Sequence, residues 1–216
     1  MTARPGTETF AANLALGHAT VPEIADMSVN TTAGRAVRLF FGQTRDDILR
    51  QKWWSFATGW HSPATDTVES LGPLKKRYAL PADYVRIRYL IDDNDDVFDE
   101  DDDAWDIENG PADLAAGKLE QTFLVTNLAA ARICYTRRIE NVALWDPVFL
   151  SGFCLDLGGK LAMKLGRGRS LASSLAAQAK DKIDTAAGID SKERSRQKAA
   201  PTSSWLLARS GFRRER

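Results

Sequence analysis

Residues 135–150 read YTRRIENVALWDPVFL and bring two kinds of backbone together within a few positions. Tyr135 to Ile139 has the look of a strand end. Asp146-Pro147 has the look of a helix start, since proline lacks the N–H that the first helical turn leaves without a partner, and Asp146 can cap the free donors after it. A chain that passes so abruptly from strand to helix must return from a sheet to helical layers, and the remaining elements have to be arranged around that step.

After Pro147 the apolar positions Leu150, Cys154, Leu157, Leu161 and Leu165 form one helical stripe, widened by Phe149 and Phe153. Asp156, Lys160 and Lys164 make a narrow polar face. Ser151, Gly152, Gly158 and Gly159 would let a second helix approach closely. GRGR at 166–169 reads as the turn, with Ser170 capping a further helix whose stripe is Leu171, Leu175, Ala179, Ile183 and Ala186. Upstream, Phe10 to Leu16 reads as a short helix stopped by Gly17. Thr31 or Thr32 is the expected cap of a long helix from about Ala33 to Thr58, carrying Val37, Phe40, Phe41, Ile48, Leu49, Trp53 and Phe56 at helical spacing.

Between these helices, Tyr84 to Ile91 sets Val85, Ile87 and Tyr89 against Arg86 and Arg88, the alternation of a half-buried strand. A short strand at Trp105–Glu108 running into a turn at Asn109-Gly110-Pro111, and strands at 118–126 and 131–139 joined as a hairpin, complete a small antiparallel sheet. The expected fold class is therefore α+β, mainly α: a helical bundle with an inserted sheet and an extended C-terminal arm. The segments are 1–9, a loose N-terminus; 10–76, the first helices; 77–140, the β-rich insertion with an acidic loop at 92–103; 141–195, the last helices; and 196–216, the arm.

The 29 basic and 29 acidic side chains cancel, so net charge names no partner. Their placement is uneven. Residues 92–108 hold eleven carboxylates and no base, while 192–216 hold eight Lys or Arg against two Glu. Asp92, Asn94, Asp96 and Asp103 fall at positions 1, 3, 5 and 12 of a calcium loop, but Val97 takes the place of the turn glycine and no glutamate closes the site, so a solvated loop is the expected reading and a weak cation site the alternative. His18 and His61 read as solvated loop residues. Cys134 and Cys154 read as buried thiols in a reducing compartment, with a disulfide as the alternative. No signal segment, membrane span, phosphate-binding loop, nucleophile elbow or paired acid and base is legible, and no cofactor or enzymatic activity is expected. At the C-terminus Trp205, Leu206, Leu207 and Phe212 are interleaved with Arg209, Arg213 and Arg214; phosphate contact needs only the charges whereas the apolar residues ask for a hydrophobic groove, so partner docking is expected ahead of plain disorder or nucleic-acid contact.

Four stretches in register, TRDDILRQKWWSFAT (44–58), RYALPADYVRI (77–87), YTRRIENVALWDPVFLSGFCLDLGGKLAMKL (135–165) and SLASSLAAQAKDKIDTAAGIDSKE (170–193), resemble the head-to-tail adaptor, or connector, proteins of tailed phages, and most closely the tail tubular protein A group of short-tailed phages. The resemblance implies a structural virion protein in the tail neck, assembled in host cytoplasm as a twelve-subunit ring beneath the portal protein. That ring would extend the DNA channel around packaged DNA and present a platform to a nozzle or other downstream tail protein, with tail fibres as a further partner. In that family the C-terminal segment commonly reaches along the portal, and by composition and position Trp205, Leu206, Leu207, Arg209, Phe212, Arg213 and Arg214 are the expected portal-binding arm. Bundle and ring packing would then rest on Trp53, Trp54, Phe56, Trp145, Phe149, Phe153, Leu157, Leu161, Leu171 and Leu175. Other readings are an adaptor of a long-tailed phage or gene-transfer particle, and a cytoplasmic nucleic-acid-binding helical protein.

Overall fold

The computed structural model describes residues 6–64, 69–70, 72–99, 104–111, 120–128 and 132–195. Helix α1 spans Glu8–His18, with the Thr7 hydroxyl accepting from the Phe10 amide. Its buried side is Ala11, Ala12, Ala15 and Leu16. Both ends of the buried Asn13 amide pair with the Ile24 backbone, at 3.0 and 2.9 Å, which fastens the following loop to the helix. Helix α2, Thr32–Gln51, is capped by Thr31.

Helix α3, Pro147–Lys164, starts at the cap expected: Asp146 accepts from the amides of Val148 and Phe149 at 2.8 and 3.0 Å. Asp146→Ala is expected to lower stability by about 1 kcal/mol, read from the urea midpoint, with Asp146→Asn nearly neutral. The helix closes on Gly166, at φ 69°, in a Schellman arrangement: the Arg167 amide reaches Ala162 O at 2.8 Å and the Gly166 amide Met163 O at 3.3 Å. Helix α4 follows as Arg169–Ser195. Ser170 thus lies inside α4 and does not cap it, and the buried position near its start is Ala172, with Leu171 half-buried beside it.

The glycines of α3 serve two neighbours. A Cβ at Gly158 would lie 3.0 Å from Ala15 O on α1, and Cβ atoms at Gly152 and Gly159 would meet Ile183 and the Ala172 carbonyl of α4 at 2.8 and 3.2 Å. α3 is therefore the central helix, gripped at backbone distance from both sides.

The remaining elements are strands: β1 Thr58–His61, β2 Lys76–Ala79, β3 Tyr84–Ile91, β4 Val97–Phe98, β5 Trp105–Pro111, β6 Glu120–Thr126 and β7 Arg132–Arg137. They form two antiparallel sheets, ordered β1-β7-β3-β4 and β2-β6-β5. The sheets share a core of Tyr78, Leu80, Ile87, Leu90, Leu124, Ile133 and Tyr135. The helices keep a second core built on Trp54, Phe149, Phe153, Leu157 and Leu161.

This overturns the mainly helical expectation. Among the described residues four α-helices stand beside seven strands, a roughly balanced α+β fold in which the β part is a two-sheet layer with a core of its own. Several misreadings account for the difference, and strand β2, ahead of Leu80-Pro81, is one the sequence pattern does not show. The long helix stops at Gln51, and Thr58, expected as its last residue, opens strand β1. Acidic residues hid β4, which pairs with the end of β3. The expected β6–β7 hairpin does not exist. β6 lies between β2 and β5 in one sheet and β7 between β1 and β3 in the other, and both faces of each are buried across Phe123–Thr126 or Ile133–Thr136. Asn109 and Gly110, expected in a turn, pair with Thr122 and Gln121 inside β5. The arm at 196–216 and the N-terminal 1–5 lie outside the described residues.

Candidate interaction surface

The junction of helices and sheet is built by an accounting of carbonyls. The last turn of a helix leaves carbonyl oxygens without amide partners and carries partial negative charge. At the end of α2, Ile48 O accepts from the Lys52 amide at 3.4 Å and the Trp54 indole at 3.1 Å. Leu49 O and Lys52 O accept from Arg88 Nη2 at 3.2 and 2.5 Å, and Arg50 O from Arg86 Nη1 at 3.2 Å. In return Arg50 Nη1 donates to Val85 O of β3 at 2.9 Å. Arg88 Nε also reaches the fully buried Thr136 hydroxyl at 2.7 Å. Arginines that alternation assigned to a solvent face thus cap a helix.

A bulge makes this possible. The β3–β7 register shifts between Ile87 and Tyr89, so Arg88 and Tyr89 both address the outer face, while Ile87 and Leu90 face the other sheet. Tyr89 then meets two tryptophans, Trp53 at 5.7 Å and Trp60 at 5.6 Å between ring centres. The Trp53 indole donates to Thr58 Oγ1 at 2.9 Å. These rings floor a groove of about 740 Å³ that runs from Ser55 to Val97 and Asp99. Its surface is apolar and open: Trp60 is 57% exposed and Val97 60%. At one rim the Asp190 carboxylate of α4 accepts from the Ser55 amide at 2.9 Å and the Ser55 hydroxyl at 3.0 Å, and Lys52 pairs with Asp184 at 2.8 Å.

Sequence reasoning missed this groove. Trp53 and Trp54 were assigned to one helix, but extended backbone at Lys52 sends them to different layers. Tyr89 was placed on the buried face because a bulge leaves no mark in period-two alternation.

The packing residues named from the sequence fall mostly in the chain's own core. Phe149 sits 5.0 Å from Trp54, 5.0 Å from Phe56 and 5.2 Å from Trp145, and Trp145 lies 4.8 Å from Phe153. Leu157, Leu161 and Leu175 are buried with them and Leu171 packs at the edge. Trp53 alone of the set lies in the groove. Lys160, expected on a polar face, bridges Thr44 Oγ1 and Asp156 at 3.0 and 3.1 Å and ties α3 to α2.

Asp92 accepts from the amides of Asn94 and Asp96 at 2.8 and 2.9 Å, forming the turn between β3 and β4, and Asp95, at φ 63°, pairs with Arg132. Asp103 lies outside the described residues, among which no cluster of three or more His, Cys, Asp or Glu is placed to hold a metal. His18 and His61 end α1 and β1, so neither stands in a loop. Cys134 and Cys154 are buried thiols not joined in a disulfide, and burial raises the Cys154 thiol to about 12. Trp205, Leu206, Leu207, Arg209, Phe212, Arg213 and Arg214 lie outside the described residues. No described helix is long and apolar enough to cross a membrane.

Tyr135 offers a pH handle. Burial, and then the Asp83 carboxylate accepting its hydroxyl at 3.1 Å, raise the phenol from 10.0 to about 12. The folded-state value is the higher one, so the stability it adds is complete below pH about 10 and is lost as pH rises through about 12. Tyr135→Phe is expected to flatten that alkaline fall in urea midpoints; an unchanged slope would show that Tyr135 titrates alike in both states.

No protein-family model matches the chain, and no curated protein matches it.

Proposed function

We propose that the chain is a non-enzymatic structural protein of a virion, a head-to-tail adaptor that closes as a twelve-subunit ring between the portal protein and the tail or nozzle and extends the DNA channel. Support comes from where the four resembling stretches lie. They touch one another: Arg50 of the first bonds to Val85 O of the second at 2.9 Å, Arg138 of the third pairs with Asp46 at 2.9 Å, and Asp190 of the fourth holds Ser55. The resemblance thus falls on one connected substructure, the joint of helices and sheet.

A ring needs two complementary flanks on each subunit, so that one heterologous contact repeats and closes. Because Trp54, Phe149, Phe153 and Leu161 are spent inside the subunit, flank contacts fall to exposed apolar side chains such as Leu39, Leu144 and Met163. Residues 205–214 dock on the portal, and weak arm contacts are multiplied around the ring when geometry permits simultaneous engagement. The same construction serves a short-tailed phage, a long-tailed phage or a gene-transfer particle.

Binding to cognate portal rings tests the reading. The full chain is expected to bind, with little salt dependence, and the chain cut after Lys198 to lose that binding. A nucleic-acid-binding protein would instead ignore portals and hold DNA with an affinity that falls about 10³–10⁵-fold between about 50 and about 200 mM salt.

A further inference from the structure

Residues 196–216 lie outside the described structure, but the place from which they depart is fixed. α4 ends at Ser195, five residues beyond the Asp190 that is bonded to Ser55, and Ser55 lines the aromatic groove. At about 1.5 Å per helical residue, the chain leaves α4 within roughly 8 Å of the groove's rim along the helix axis. The ten residues from there to Trp205 span up to about 33 Å when extended, which is ample.

Groove and segment also match in chemistry. The floor offers Trp60 and Tyr89, with the exposed Val97 beyond. The far end is acidic, with Asp99 in the groove wall and Asp92, Asp93 and Asp96 in the adjoining turn. The segment brings Trp205, Leu206, Leu207 and Phe212 interleaved with Arg209, Arg213, Arg214 and Arg216. The carboxylates favour a cationic ligand and disfavour a phosphate backbone.

We propose that this groove is the docking site of residues 205–216 of the same molecule. The apolar residues cover the Trp60–Tyr89 floor and the arginines lie toward Asp99 and the β3–β4 turn. A tethered segment meets its site at an effective concentration on the order of millimolar, so the chain's own segment keeps a free peptide of the same sequence out of the groove. Neither the groove nor the composition of the segment depends on the adaptor reading. Under that reading, groove and portal compete for one stretch of chain.

The test uses full-length chains at nanomolar concentration and a fluorescent peptide of residues 199–216. One chain is unaltered; a second carries W205A, L206A and L207A, which empties the groove; a third adds W60A to the second. The peptide is expected to bind the second chain at least tenfold more tightly than the first, and the third at least tenfold more weakly than the second. Trp60 is more than half exposed, so its loss leaves the fold in place, and Val97→Asp supplies an independent lesion. Equal affinity for the first two chains, no binding to the second, or indifference to both groove lesions would overturn the proposal. So would an unaltered chain that occupies its groove only through concentration-dependent dimers, because the segment would then dock on a neighbour.

Discussion

Phe149→Ala is expected to destabilise the fold by about 3–5 kcal/mol. The ring is fully buried and meets Trp54, Phe56 and Trp145 edge-on at 5.0 to 5.2 Å. Deleting it removes apolar surface from burial and leaves a void among Trp54, Phe56 and Trp145. The lost aromatic pairs add to this. Phe149→Leu keeps most of the volume and should cost less than half as much. Urea unfolding by fluorescence and by far-UV dichroism reads both variants. A loss under about 1 kcal/mol for the alanine would mean that Phe149 is not in a packed core.

Arg88→Ala is expected to cost about 2–3 kcal/mol by a different mechanism. One guanidinium serves Leu49 O, Lys52 O and the Thr136 hydroxyl, so its removal strands acceptors at the electronegative end of α2 and deprives a buried hydroxyl of its partner. It also withdraws the cation that stands 6.0 Å over the Trp53 ring. Arg88→Lys can reach one of these acceptors but not all, and should recover less than half of the loss. Arg86→Ala, which removes the exposed bond to Arg50 O, is the comparison and should cost less than Arg88→Ala. Hydrogen exchange adds a spatial test: faster exchange in Arg88→Ala should concentrate in the last turn of α2 and in β7. Uniform acceleration would place the effect elsewhere.

What the sequence made legible follows the reach of each interaction. The start of α3 was readable because Asp146, Pro147 and the leucine stripe act within a few residues of one another. β3 was readable from Tyr84 to Ile91, yet its faces were not, since the bulge at Ile87–Tyr89 is set by pairing with β7, 48 residues away at Arg88–Thr136. α2 was read too long because Trp53 and Phe56 continue its apolar period, although one belongs to the sheet and the other to the helical core. The separation of β6 from β7 depends on which strands flank each, and short-range patterns carry no such information. The groove draws on Trp53, Trp60, Tyr89 and Val97 from four segments, so no contiguous motif announces it.

Particle imaging of the full chain mixed with its cognate portal addresses the adaptor reading most directly. A twelvefold ring seated on the portal, coaxial with the channel, is the expected picture. Bare portal rings beside dispersed subunits, at concentrations where the chain is folded and intact, would contradict it.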